Sequence, residues 1–457
     1  MSTDTDNPRN ESLVDGSISI DEETFTADYL TYLHDSPSPY HAASKAAHHL
    51  QESGFVALSR GEEWPTEPGA YLLKNEGSLI AWIIPTQTPI GFSIVGTHTD
   101  SPALKIKPTP QRTTADGWGQ ILTEIYGGPL MNSWLDRELL VAGLIVDKTG
   151  AEHLARTGPI ARVSQLAIHL HRELRTEGLK LDPQQHMQPV WTVDDPDVKV
   201  LDLVAQSAGL NSADDIGGSD LFLYPSQPPG LFGSHDQFVA AGRQDNLSST
   251  FAALWAMMRV GRAVSAGEPF EAKHVPVFAV FDNEEVGSNT ALGAHGPMLP
   301  STLQRISAGM GMGVAGYERL LARTSLLSAD ASHSVHPSYA EMHDPDTRPV
   351  MGRGPILKLD ADQHYATSAR GQALWAQVCT AADVPWQSFV SQSSIRSGST
   401  IGPGLSTSLG VTTIDVGIGL LSMHSAREMS HVDDTRWLAQ ALYAYWAKDY
   451  PTWRQDG

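Results

Sequence analysis

The chain has 457 residues, 41% of them hydrophobic and 18% charged, with a formal net charge of -21, which suits a soluble globular protein of two or more domains rather than a disordered or fibrous one. The negative balance argues against nucleic-acid and anionic-membrane partners, which clustered Lys and Arg would hold, and no apolar run reaches the roughly 18 to 20 residues that cross a bilayer. The lone Cys379 excludes an intramolecular disulfide and a Cys-rich zinc site and points to the cytoplasm, whereas 18 histidines keep imidazole metal chemistry open.

Residues 1–22 are polar and acidic, without the basic start and apolar middle of a secretory signal, and read as a mobile tail. From about Phe25 to Gly54 the pattern predicts two helices broken at Ser36-Pro37-Ser38-Pro39. Two apolar runs bounded by Pro and Gly follow, "SLIAWIIP" and "GFSIVGTHTDSP", with the character of strands in a covered sheet. A middle region, 110–234, is richer in Gly, Pro, Gln and Asp, carries short β-like pieces such as "ELLVAGLIV", and predicts an inserted, mainly β domain. Asp136 and Arg137 within it read as a local ion pair.

Beyond it, helices and strands alternate: "NLSSTFAALWAMMRVGRA" as helix, "VPVFAVF" as strand, "PSTLQRISA" as helix, "TSLLSAD" as strand, "SARGQALWAQVCTAA" as helix, "VTTIDVG" as strand and "DTRWLAQALYAYWAKDY" as the last helix. Such alternation implies right-handed crossovers and a mixed, largely parallel sheet covered by helices. Residues 23–109 and 235–457 therefore read as one α/β domain interrupted by the insert. "GMGMGVAG" has G-x-G-x-x-G spacing, but a helix rather than a strand leads into it, which removes the dinucleotide-binding reading. "GLLSMHSA" lacks the nucleophile elbow of a serine hydrolase.

In open α/β sheets, ligands bind beyond the carboxyl ends of the strands, and here those ends are polar. "VPVFAVFDNEEVGS" stops at Glu284 and Glu285; "SIVGTHTDSP" delivers His98 and Asp100; "TSLLSADASHSVHP" delivers Asp330, with His333 and His336 following; "TIDVGIGLLSMHSAREM" delivers His424. Adjacent carboxylates past a buried strand need a positive partner, and a metal ion is the strongest candidate, the alternative being a loop whose acids point to water. Asp100 is spaced to orient His98 through its carboxylate. Asp245 in "AGRQDNLSSTF" opens a helix, where a plain N-cap is the competing role. Two imidazoles and three carboxylates, with one carboxylate to spare, fit two divalent ions sharing a ligand: zinc, with manganese or cobalt as substitutes. The spare carboxylate would be the general base of a hydrolase.

"GTHTDSPALKIKP", "GRQDNLSS", "FDNEEVGS", "SADASHSVHP", "RSGSTIGPG" and "MHSAREM", in this order, resemble the M18 family of metalloaminopeptidases, typified by aspartyl aminopeptidase, over nearly all the chain beyond its tail. The resemblance implies a zinc aminopeptidase that releases single N-terminal residues, acidic ones above all, from peptides with a free N-terminus. It implies one zinc held by His98 and Asp330, another by Glu285 and His424, Asp245 bridging them, Glu284 as general base and Asp100 supporting His98. It further implies that 110–234 is a dimerisation domain whose His169 reaches the active site of a neighbouring subunit, and that the protein is a homo-oligomer, up to a dodecamer built from dimers.

Softer correspondences are Lys358 as partner of an acidic substrate side chain, His336 as a substrate contact, and Gly398, Ser399 and Thr400 as backbone donors to substrate. Each has a structural alternative: a solvated lysine, a histidine holding its own turn, and a tight turn. Arg396, unexpected in the segment before "GSTIGPG", leaves open a neutral or basic N-terminal preference. Two rivals remain: a two-zinc acyl-amino-acid deacylase or carboxypeptidase on a similar sheet, and a catalytically silent assembly protein.

Overall fold

The computed structural model describes residues 20–267 and 272–450. The expected tail lies outside them except for Ile20, Asp21 and Glu22, and Glu22 already begins a helix that Asp21 caps by accepting from the Thr24 amide at 2.8 Å. The chain breaks between the first two helices, Glu22–Asp35 and Pro39–Glu52, because Ser38 caps the second and Pro39 stands at its first turn, where a missing N–H costs nothing.

The architecture is a helix-covered nine-stranded sheet joined to a closed six-stranded barrel. In the sheet, strands His274–Phe281, Gly91–His98, Ser325–Ala329 and Thr412–Gly417 lie side by side and parallel, flanked by antiparallel neighbours at Ser78–Ile84 and Ile356–Lys358. His274–Phe281 enters between Ser78–Ile84 and Gly91–His98, pairing with both.

Alternate side chains of each parallel strand feed two separate cores, as the two-residue period requires. Val275, Val277, Ala279 and Phe281 pack with Phe92 and Ile94 under the helices Met298–Gly309, Val314–Leu321 and Ile401–Leu409. Phe278, Val280 and Val95 face the opposite layer, made by the helices Gln244–Ser265, Ala369–Ala382 and Val432–Ala447 together with the two N-terminal ones. The "GMGMGVAG" glycines join two helices, Met298–Gly309 and Val314–Leu321.

The barrel is built from strands between Ala103 and Pro225 around its own core of Leu104, Ile121, Leu139, Val141, Leu221 and Leu223, among others. Asp136 pairs with Arg162 at 3.3 Å rather than with Arg137, whose guanidinium bonds Ser133 and Gln227. Among the described residues, no helix is long and apolar enough to cross a membrane.

Candidate metal centre

The parallel strands end in register: Phe281 lies opposite His98, and Ala329 opposite Val416. The residues that leave them therefore meet at one edge of the sheet. Helix Gln244–Ser265 is tied down there at three points. Asn246 donates to the Ala329 carbonyl at 2.8 Å, Thr250 to the His98 carbonyl at 2.9 Å, and Ser101 to the Asp245 carbonyl at 2.7 Å. Asp245 is not the N-cap of this helix. It sits at the helix's second residue with non-helical angles, φ -80 and ψ 106, and its carboxylate turns to the strand ends.

Two groups of donor atoms result, each within 4.8 Å of one another: His98, Asp245 and Asp330, and Asp245, Glu285 and His424. Asp245 belongs to both. A third group joins His98 with Glu284 and Glu285. His98 Nε2 stands 3.3 Å from Asp330 and 3.4 Å from Asp245; His424 Nε2 stands 3.4 Å from Asp245 and 3.5 Å from Glu285. The cluster opens outward at His424 and Glu284, whose side chains are 31% and 17% exposed against 1% for His98.

Both imidazoles are fixed by carbonyls. His98 Nδ1 donates to the Asp100 carbonyl at 3.1 Å, and His424 Nδ1 to the Gly128 carbonyl at 3.0 Å. Because a carbonyl only accepts, Nδ1 must carry the proton, so Nε2 is the nitrogen that can offer a lone pair to the cluster. The Asp100 carboxylate lies 3.4 Å from His98 Nδ1, but its main bonds run elsewhere. It accepts the amides of Glu284 and Glu285, each at 3.0 Å, and the Tyr126 hydroxyl at 2.8 Å. It thus holds the short helical turn that carries both glutamates.

Charge is crowded here. Burial, with the neighbouring acids, pushes Glu284 up to about 8 and Glu285 well above the usual carboxyl range. Burial would lower both histidines, yet carboxylate contacts outweigh it: His98 is held well above its ordinary value and His424 is raised to about 10. Those imidazoles in turn hold Asp245 far below the carboxylate range despite its burial. Two buried oxygens, Asp245 Oδ1 and Glu285 Oε1, have no hydrogen-bond partner. Unpaired buried carboxylate oxygens are costly, and a divalent cation would satisfy both, so oxygen and imidazole donors of this kind fit zinc.

The other expected contacts lie differently. Lys358 is 1% exposed, with its ammonium on the Ala331 carbonyl at 2.6 Å and 5.4 Å from the centre of the Tyr365 ring; it is no solvated lysine. Thr400 caps helix Ile401–Leu409 and donates to the buried Asp415 at 2.6 Å, while Gly398 and Ser399 are exposed. His336 engages its own loop, its backbone amide donating to His343 and its Nδ1 accepting from the Ser338 amide. His169 is exposed on the short turn Ile168–Leu170 and belongs to none of the donor groups found among the described residues.

Sequence reasoning missed two groups. Tyr126, from the barrel, accepts from Asn283 at 3.1 Å while donating to Asp100. Glu428, 2% exposed, accepts the amides of both Asp245 and His424. The one available signal for Glu428 was an acid placed four residues after His424, in a short strand paired with Phe238–Ala241.

Parallel strands whose ends converge on imidazoles and carboxylates with unsatisfied oxygens are the donor set of a metalloprotein. The profile of the family described as aminopeptidase I zinc metalloprotease (M18) matches residues 32–446. A probable M18 family aminopeptidase 2 of Streptomyces coelicolor is 44% identical over 92% of this chain and 97% of its own. The crystal structure of yeast aminopeptidase 1 superposes with a TM-score of 0.80 at 27% identity, covering 93% of this chain and 98% of that one. The S. cerevisiae protein mApe1, solved as a dodecamer, gives the same score and identity over 93% of this chain and 97% of its own. The chain belongs to the M18 family of zinc metalloaminopeptidases, and it is a hydrolase of that kind.

Proposed function

We propose that the protein removes single residues from peptide N-termini with Glu284 as general base. The observation that carries this reading is the pair of donor groups sharing Asp245, with Glu284 beside them and outside both. His98 and Asp330 would hold one zinc, Glu285 and His424 a second, and Asp245 would belong to both. Bound zinc would polarise the scissile carbonyl and make the attacking water more acidic.

The remaining work falls to the chain's own groups. Glu284 takes a proton from the attacking water and delivers it to the leaving amine. Asp100, by gripping the Glu284 and Glu285 amides, keeps the base in place relative to the ligand. A free substrate N-terminus is a cation, and the carboxylate-rich cluster, which opens outward at the partly exposed Glu284, suits it. Lys358, standing at the carbonyl next to Asp330, supports an acidic side chain at the substrate's first residue.

The buried, unpaired Cys379 suits a reducing cytoplasm, and the dodecameric relative suggests a homo-oligomer built through the inserted barrel.

A panel of Asp, Glu, Leu and Lys p-nitroanilides beside N-acyl amino acids, with and without chelator, tests the substrate class. Fastest turnover is expected on Asp or Glu and its loss on chelation; preference for acylated amino acids would replace the reading with a deacylase. Glu284→Gln should keep its zinc and lose about 10²- to 10⁴-fold in kcat, and wild-type turnover would reject the assignment.

A further inference from the structure

We propose that Glu428 is a positioning residue whose buried carboxylate clamps the backbones of Asp245 and His424 so that their side chains face one another across the metal centre. The inference rests on the reading of these two residues as ligands and goes beyond it.

Asp245 and His424 come from segments far apart in the chain, and neither has an ordinary backbone. His424 sits at φ 66, the left-handed region that a β-carbon disfavours. Asp245 interrupts the start of its helix with extended angles. Something must hold both, and Glu428 touches both: one carboxylate oxygen accepts the His424 amide at 2.7 Å, the other the Asp245 amide at 3.2 Å.

The placement follows from the fold. Glu428 begins strand Glu428–His431 and lies opposite Ala241, four residues before Asp245. Its carbonyl accepts from the buried Gln244 at 3.0 Å, so the whole residue is fastened to the segment that leads into Asp245. On the far side of His424, the barrel completes the grip: Leu130 donates to the His424 carbonyl at 2.9 Å, and Gly128 accepts from Nδ1 at 3.0 Å. His424 is therefore held at its amide, its carbonyl and its ring, and the amide contact is Glu428's.

A buried carboxylate beside Asp245 adds negative charge where it is already dense, a poor choice for stability alone. Its two oxygens are spent on main-chain donors, which leaves it as a brace rather than a ligand. Glu428→Gln keeps the volume but can offer only one oxygen, so one of the two amides meets an NH₂ group instead.

The test is zinc titration of the metal-free protein against a chromophoric chelator, with thermal melting and steady-state kinetics alongside. Glu428→Gln should bind its weaker zinc about 10- to 100-fold less tightly, melt within a few degrees of wild type, and regain most of its kcat in excess zinc. Glu428→Asp, too short to span both amides, should weaken zinc in the same sense and covers the case in which the Gln variant does not fold. Unchanged zinc affinity in a folded variant would overturn the proposal, as would an activity loss that excess zinc does not restore. Failure of the wild-type protein to bind zinc would instead remove the ligand reading beneath it.

Discussion

At the scale of single residues, the site is organised by which atoms are already spent. His98 and His424 each commit Nδ1 to a carbonyl and Asp100 commits both oxygens to amides, while Asp245 Oδ1 and Glu285 Oε1 are buried without a hydrogen bond. Asp245 is the residue on which both donor groups depend. Asp245→Asn preserves shape yet exchanges one oxygen for a donor that repels a cation. It is expected to lose at least about half of its bound zinc, by elemental analysis of the purified protein, with its secondary structure intact by circular dichroism. A full metal complement in that variant would take Asp245 out of the ligand set. His98, Asp100, Asp330 and His424 were readable because each follows an apolar run, and a buried strand that ends in polar groups is conspicuous. Glu428 and Tyr126 were not, because what sets their role is a hydrogen bond to a residue earlier in the chain, Asp245 for Glu428 and Asp100 for Tyr126, and the nearness of Glu428 to His424 alone does not reveal it.

Elements were legible where periodicity is strong and less so where pairing is long-range. Short and interrupted by glycine, Val314–Leu321 and Ile401–Leu409 were not expected, whereas four other helices after the insert, Gln244–Ser265, Met298–Gly309, Ala369–Ala382 and Val432–Ala447, and the four parallel strands follow from their apolar patterns. The entry of His274–Phe281 between two strands that precede it by some 180 residues does not, nor does closure of the middle region into a barrel, since both are decided by contacts across the chain. Helix Pro39–Glu52 carries a consequence of such contacts. His41 within it lies 2.7 Å from the Ser38 hydroxyl, and burial, with the charges of Arg156 and Arg243, pushes its imidazole down to about 4. The unfolded chain therefore takes up a proton between about pH 6.5 and 4 that the fold does not, so stability rises with pH through that window and is lost as pH falls through it. His41→Gln should flatten this slope by up to about one proton, read as the change in urea midpoint between pH 4.5 and 7.5 relative to wild type. An unchanged slope would mean that His41 titrates alike in both states.

At the scale of the whole molecule, the barrel and the sheet meet at the donor cluster, since the barrel supplies Tyr126 to Asp100 and the Gly128 carbonyl to His424. Its outer turn has a different character. His169 stands exposed among Leu166, Ile168 and Leu170, which are 57%, 43% and 74% exposed. Apolar side chains displayed together on a short turn suit burial against another subunit, and His169, outside its own chain's cluster, would then be delivered to the neighbour's. This reading predicts complementation. His169→Ala and Glu284→Gln homo-oligomers should each be nearly inactive. Co-expressed and purified by two different tags, the hybrid should recover a measurable fraction of wild-type kcat, because sites with an intact Glu284 in one subunit receive an intact His169 from its partner. The size of the recovered fraction depends on how many neighbours pair productively, which light scattering of the same sample would bound. If the hybrid stays as inactive as its parents while its mass shows mixed oligomers, His169 works within its own subunit or not at all, and the barrel's outer turn is a contact surface only.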